Sequence, residues 1–244
     1  MKNKQPLFII NLLSFIFLLM SSFIFAKSGS MFNTNEVMAL FMPAPYAFSI
    51  WILIYSLLGT WVIKEFFANA IEEDMYESVG YWFAACMVLT GLTILVPIKL
   101  SPIFIIGALI TALIIYKIIS ESGLSKYFNV PFSFLTAWLS VATIANISLV
   151  LKIMGVTKIF GIGEVGWAII LIIVGSVIAI LFSIINQDNI FPLVFIWGYV
   201  AIAVEQKEMK VIGIVAVVMS TILLITIIYN LYRKYNFTRV IKKK

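Results

Sequence analysis

The chain has 244 residues, of which 63% are apolar and 11% charged, with a mean hydropathy of +1.11 and a net charge of +6. A soluble domain has roughly 45–50% apolar and 25% charged residues, so this composition excludes one and predicts an all-α, polytopic transmembrane helix bundle. Histidine is absent and Cys86 is the only cysteine, which removes imidazole as a general base, zinc ligand or haem ligand and removes internal disulfides and multi-thiolate metal sites.

Crossing a hydrocarbon core of about 30 Å takes about 20 apolar residues. Eight runs are read as spans: residues 7–26, 46–63, 79–97, 102–119, 132–151, 165–185, 190–204 and 211–232. The first follows Lys2 and Lys4 as a secretory signal would. It is longer than a signal core, however, and Ile24 stands two positions before the one plausible cleavage point after Ala26, so the span is expected to be retained. Residues 26–45, with Gly29, Pro43 and Pro45, read as a turn-rich lid above the second span.

In the second span Phe48, Trp51, Tyr55 and Gly59 follow spacings of three, four and four. That spacing stacks them on one helical face, with a glycine that permits close approach of a neighbour. Residues 64–80 carry Glu65, Glu72, Glu73, Asp74 and Glu77 and read as a solvated loop, its acids a surface charge run and no cation site. In the third span Cys86 is expected to be a small packing residue. The fifth span presents Trp138, Ala142 and Asn146 at four-residue steps with Thr143 alongside, small enough to pack and polar enough to hydrogen-bond. In the sixth, Gly175, Ala179 and Ser183 form a stripe that suits a neighbouring helix of the chain or, in a homodimer, a second subunit. The seventh run, at 15 residues, reaches only about 22 Å. It is read as tilted, extended through Glu205, or partly re-entrant.

Trp82 and Trp167 lie near span ends and read as interface-belt anchors. Trp51, Trp138 and Trp197 lie several residues inside, where each indole N–H needs a partner or a ligand. With the amino terminus inside, cytoplasmic segments hold Lys2, Lys4, Lys64, Lys117, Lys126, Arg233, Lys234, Arg239, Lys242, Lys243 and Lys244. Only Lys27, Lys99, Lys152, Lys158, Lys207 and Lys210 fall outside. The excess places both termini in the cytoplasm. The basic tail adjoins a span, so its partner is anionic lipid and no nucleic acid is implied. No phosphate-binding glycine loop is present, and no acid or base falls in the middle of a span, which argues against an ATP-driven motor and against proton relays or voltage sensors.

Two segments carry a family resemblance. Met42-Pro43-Ala44-Pro45-Tyr46-Ala47-Phe48-Ser49-Ile50-Trp51, running on to Tyr55, resembles the proline-then-tryptophan signature that opens the second helix of the TspO/MBR family, the tryptophan-rich sensory and translocator proteins. Trp138 to Asn146 is similar to that family's fifth helix, a tryptophan followed by a small residue and an asparagine. Phe195-Ile196-Trp197-Gly198-Tyr199 is similar to what the longer bacterial relatives carry. The resemblance implies a TspO-like five-helix core over residues 1–151, and a three-helix extension with a basic cytoplasmic tail over 152–244. It also implies a pocket for tetrapyrroles or sterol-like molecules, lined by Pro43, Phe48, Trp51 and Tyr55 with Trp138, Ala142 and Asn146. The reading is a non-enzymatic receptor or carrier in a bacterial cytoplasmic membrane, with no catalytic residue, metal or cofactor. A permease-like membrane component of a transporter is the alternative.

Overall fold

A computed structural model describes residues 5–27 and 38–241. Residues 28–37 of the expected lid lie outside the described residues, while the point after Ala26 falls within the last turn of the first helix. The chain divides into two compact units, Met1–Val37 with Phe48–Val150, and Met38–Ala47 with Leu151–Lys244.

The first unit opens with α1 (Gln5–Lys27) and resumes at Phe48, within a 3-10 turn (Pro45–Ser49) that leads into α2 (Ile50–Phe66). Its remaining helices are α3 (Ala70–Val79), α4 (Tyr81–Leu95), α5 (Ser101–Glu121) and, after a second 3-10 turn (Lys126–Asn129), α6 (Val130–Ile153). α1 and α2 run antiparallel and are pinned at three levels. The buried Asn11 amide donates to both Glu65 carboxylate oxygens at 3.1 and 3.2 Å, the Phe15 ring covers Gly59, and the Ser22 and Tyr55 hydroxyls meet at 2.6 Å. α1 also lies on α4, where Phe17 and Ser21 close over Gly91. Cys86 is fully buried against α5 and its thiol donates to the Ala108 carbonyl at 3.6 Å, the packing role expected of it.

The segment read as a solvated loop is helical. Asn69 caps α3 in a reciprocal box with Glu72, and Lys64 pairs with Glu72 at 3.2 Å. The sequence pattern concealed this helix because its ten residues bury only Met75, Tyr76 and Val79, too few to show a periodic apolar face. Gly80, at φ 49°, then turns the chain by 50° into α4, a conformation that favours glycine. α4 alone has 15 residues, so the expected third span is the second limb of a broken pair. Among the described residues no group of three or more acids, cysteines or histidines could hold a metal ion.

The second unit contains α7 (Glu164–Asn186), α8 (Ile190–Glu205) and α9 (Lys210–Ile241). Before α7 comes a hairpin of β1 (Lys158–Ile159) and β2 (Ile162–Gly163), paired antiparallel with Ile159 opposite Ile162. Its two-residue loop, Phe160-Gly161, has φ of 51° and 79°, the signature of a type I′ turn. Left-handed geometry at a non-glycine residue costs roughly 1–2 kcal/mol. The stripe Gly175, Ala179 and Ser183 is buried within this unit. Gly175 faces Phe195 and Tyr199 of α8, and the Tyr199 hydroxyl donates to the Ile172 carbonyl at 2.8 Å. Asn230 of α9 donates to Ser183 Oγ at 3.0 Å and to Asn189 Oδ1 at 3.2 Å. The rings of Phe182, Phe191, Phe195 and Tyr199 follow one another at 3.9, 5.3 and 5.8 Å.

Met38–Ala47 belongs to this unit. The Leu40 N–H donates to the Glu164 carboxylate at 2.8 Å, the Ala44 N–H donates to the Ala201 carbonyl at 3.1 Å, and Phe41 packs edge-on against Tyr199.

Among the described residues six helices are long and apolar enough to cross a membrane. The bent pair α3 and α4 makes a seventh candidate, and α8, at 16 residues, is a shorter apolar helix. The all-α membrane bundle stands: of the eight runs read as spans, six are single long helices, one is the second limb of the bent pair and one is the short α8.

Candidate functional site

The 3-10 turn at Pro45–Ser49 decides what the aromatic signature of α2 can reach. Because that turn is tighter than an α-helix, Phe48 is not simply the first member of an α-helical stripe. Its half-buried ring meets Trp138 of α6 edge-on, with centroids 5.9 Å apart and planes at 89°. Trp51, also half-buried, stacks instead on Tyr55 at 5.2 Å and 25°. Tyr55 is bonded to Ser22, and Gly59 lies under Phe15. The expected close approach at Gly59 is therefore made by α1. The inward ridge of α2 is Ile50, Ile54, Leu58, Trp61 and Val62.

Trp138 is 1% exposed, and its Nε1 has no hydrogen-bond partner among the described residues. An indole donor buried in a bundle ordinarily finds one, because leaving it unmade costs the desolvation of the group. Ala142, half-buried, provides the small step one turn on. Asn146 is already engaged. Its amide donates to Ser101 Oγ at 2.8 Å, while the Ser101 hydroxyl donates to the Ile98 carbonyl at 2.7 Å, so Asn146 ties α6 to the start of α5. Pro43 is buried in the second unit, beside the Ala44 to Ala201 bond. The structure thus pairs Phe48 with Trp138 and Trp51 with Tyr55, uses Asn146 as a seam, and places Pro43 in the other unit.

The other tryptophans separate by environment. Trp82 is 44% exposed, as a belt residue is. Trp167 donates to the Ile159 carbonyl at 3.1 Å and braces the hairpin. Trp197, expected to be a buried indole, is 38% exposed and donates to the Ala47 carbonyl at 3.0 Å, with Tyr46 edge-on to its ring. A short α8 leaves that position near the surface of its unit, whatever its distance from the ends of the apolar run.

Sequence reasoning passed over Trp61. It stacks on Phe83 of α4 at 4.8 Å and meets Phe132 of α6 edge-on at 5.2 Å. Tyr76 of α3 lies at 4.5 Å and donates its hydroxyl to the Trp61 carbonyl at 3.1 Å. The available signal was the four-residue spacing Ile50, Ile54 and Leu58, which continues to Trp61 and Val62.

These elements define an integral membrane protein built from apolar helices, with aromatic residues joining α2 to α6. The chain belongs to the TSPO-like family, whose profile, described as TSPO-like protein, matches residues 7–229. The match runs on through α7 and α8 and most of α9. No curated protein and no solved structure gives a significant match.

Proposed function

We propose that this protein is a non-enzymatic receptor or carrier of the TspO type that takes a flat or elongated apolar ligand, a tetrapyrrole or sterol-like molecule, beside Phe48, Trp51, Tyr55, Trp138 and Ala142. The observation that carries the reading is the Trp138 indole, deeply buried with an unpaired Nε1 and an aromatic ring set against it. A ligand with an acceptor would satisfy that donor, and its ring system would gain stacking area. With no histidine in the chain, a porphyrin would bind by stacking and burial, with little preference for its iron complex.

Titrating detergent-solubilised protein with a metal-free porphyrin, followed by tryptophan quenching, tests this. Trp138→Phe should weaken binding by roughly 1–2 kcal/mol, about five- to thirty-fold, and Trp51→Phe should act in the same direction. Trp82→Phe should change little. Equal affinity in the wild type and in the Trp51→Phe, Trp138→Phe double variant, with unchanged thermal stability, would reject the site. Co-purification of an ATP-hydrolysing subunit, or ligand transport in vesicles, would replace the receptor with a permease. The same proposal puts both termini in the cytoplasm of a bacterial cell, on the lysine and arginine bias. A reporter fused after Lys244 should give a cytoplasmic signal, and an external one would reverse the orientation.

A further inference from the structure

The turn that joins β1 to β2 puts an aromatic residue where the backbone favours glycine or asparagine. Phe160 has φ of 51° and is 92% exposed, so its ring gains nothing from packing within the chain that could offset the strained backbone. Strain of this kind persists where surrounding structure enforces it, and it concentrates at functional positions. Here the enforcement is visible. The Trp167 indole donates to the Ile159 carbonyl at 3.1 Å, and the Ile162 side chain packs so tightly on Gly166 that an added Cβ would lie 2.6 Å from it. The hairpin is thereby fixed to the first turn of α7, with the ring at its tip left exposed.

We infer that Phe160 is an interfacial wedge, seated among the lipid headgroups of the leaflet from which α6 and α7 emerge. Both flanking helices are long and apolar enough to span, so the hairpin starts at the membrane surface. From Lys158 to the tip is about 7–10 Å of extended chain. The headgroup layer on each side is about 5–7 Å deep, so the ring lies within that layer or at its outer edge. Trp and Tyr are enriched in this zone, and interfacial helices seat Phe at the boundary between headgroups and acyl chains as well. The chain leading into the hairpin is apolar and exposed at Met154 and Val156, while the exposed Lys158 ammonium can pair with headgroup phosphates. The wedge would set the depth of the α6–α7 junction in the bilayer, independently of any ligand bound elsewhere.

The test is a depth measurement on the full chain in nanodiscs made of equal parts phosphatidylcholine and phosphatidylglycerol. Cys86, the only cysteine, is replaced by alanine, and a nitroxide is attached at Phe160→Cys or, keeping the phenylalanine, at Lys158→Cys. A label at the lipid-exposed Val177→Cys of α7 marks the hydrocarbon, and a free label in buffer marks water. By collision with oxygen and with a water-soluble nickel chelate, the labels at 160 and at 158 should both report depths between those of the hydrocarbon marker and the buffer marker. Phe160→Asn keeps the turn, because asparagine adopts this φ readily. It should leave the melting temperature equal or higher while moving the 158 label toward water. Nickel accessibility at both sites equal to that in buffer would overturn the wedge. So would an unchanged depth at 158 in Phe160→Asn, and protection at 160 appearing only when a second protein is present would transfer the role to a protein partner.

Discussion

Trp61→Ala should cost about 3 kcal/mol, because it empties the place where α2, α3, α4 and α6 share one aromatic cluster. The indole is 4% exposed and contacts the rings of Phe83, Phe132 and Tyr76 at 4.8, 5.2 and 4.5 Å. Removing a buried tryptophan side chain from a soluble core costs about 3–5 kcal/mol. The lower end applies here, since the helices of an unfolded bundle remain in lipid and the transfer contribution shrinks, leaving mainly lost packing. Trp61→Phe should cost less than about 1.5 kcal/mol, because the ring area is largely kept and the Trp61 Nε1 has no partner to lose. Trp82→Ala, at the exposed start of α4, should stay within about 1 kcal/mol. Denaturation of the detergent-solubilised variants measures all three. A loss below about 1 kcal/mol for Trp61→Ala would mean that the cluster is not a keystone of the first unit.

What could be read before the structure follows from the range of the interactions involved. Apolar runs report a local transfer free energy, so α1, α2, α5, α6, α7 and α9 are visible in composition alone. The stripe Gly175, Ala179 and Ser183 is visible because its four-residue period is local too, although the choice of α8 over a second subunit is not. The 50° turn at Gly80 depends on one positive φ and an Asn69–Glu72 cap, inside a segment whose acids dominate any hydropathy average. The placement of Met38–Ala47 depends on bonds to Glu164 and Ala201, more than a hundred residues away. Trp61 was overlooked because the stripe through Trp51 and Tyr55 is the more aromatic one, yet that face meets α1, while the aliphatic ridge ending at Trp61 enters the core. Of the candidate site residues, Phe48 and Trp138 meet edge-on in space, a pairing that no local spacing could show. The engagement of Tyr55 by Ser22 and of Asn146 by Ser101 was not readable, since a hydroxyl or an amide shows its capacity in sequence and its partner only in space.

Gly175→Ala should destabilise the second unit by roughly 1–3 kcal/mol, although alanine is the better helix former by up to about 1 kcal/mol. The added Cβ would lie 2.5 Å from the Tyr199 hydroxyl oxygen and 3.2 Å from the Phe195 ring. Tyr199 is fully buried and its hydroxyl donates to the Ile172 carbonyl at 2.8 Å. The new methyl therefore either forces α7 and α8 apart, an overpacking cost of about 1–3 kcal/mol, or pushes the hydroxyl off its acceptor and leaves a buried donor unmet, which costs about as much. Tyr199→Phe alone should lose about 1 kcal/mol, the net value of one such bond. The double variant discriminates, because removing the hydroxyl also removes the atom that the methyl would strike. Gly175→Ala in the Tyr199→Phe background should therefore cost at least about 1 kcal/mol less than in the wild type, a coupling that a double-mutant cycle measures directly. Strict additivity would show that the α7–α8 seam relaxes elsewhere, and that the close approach at Gly175 is not what sets the distance between these helices.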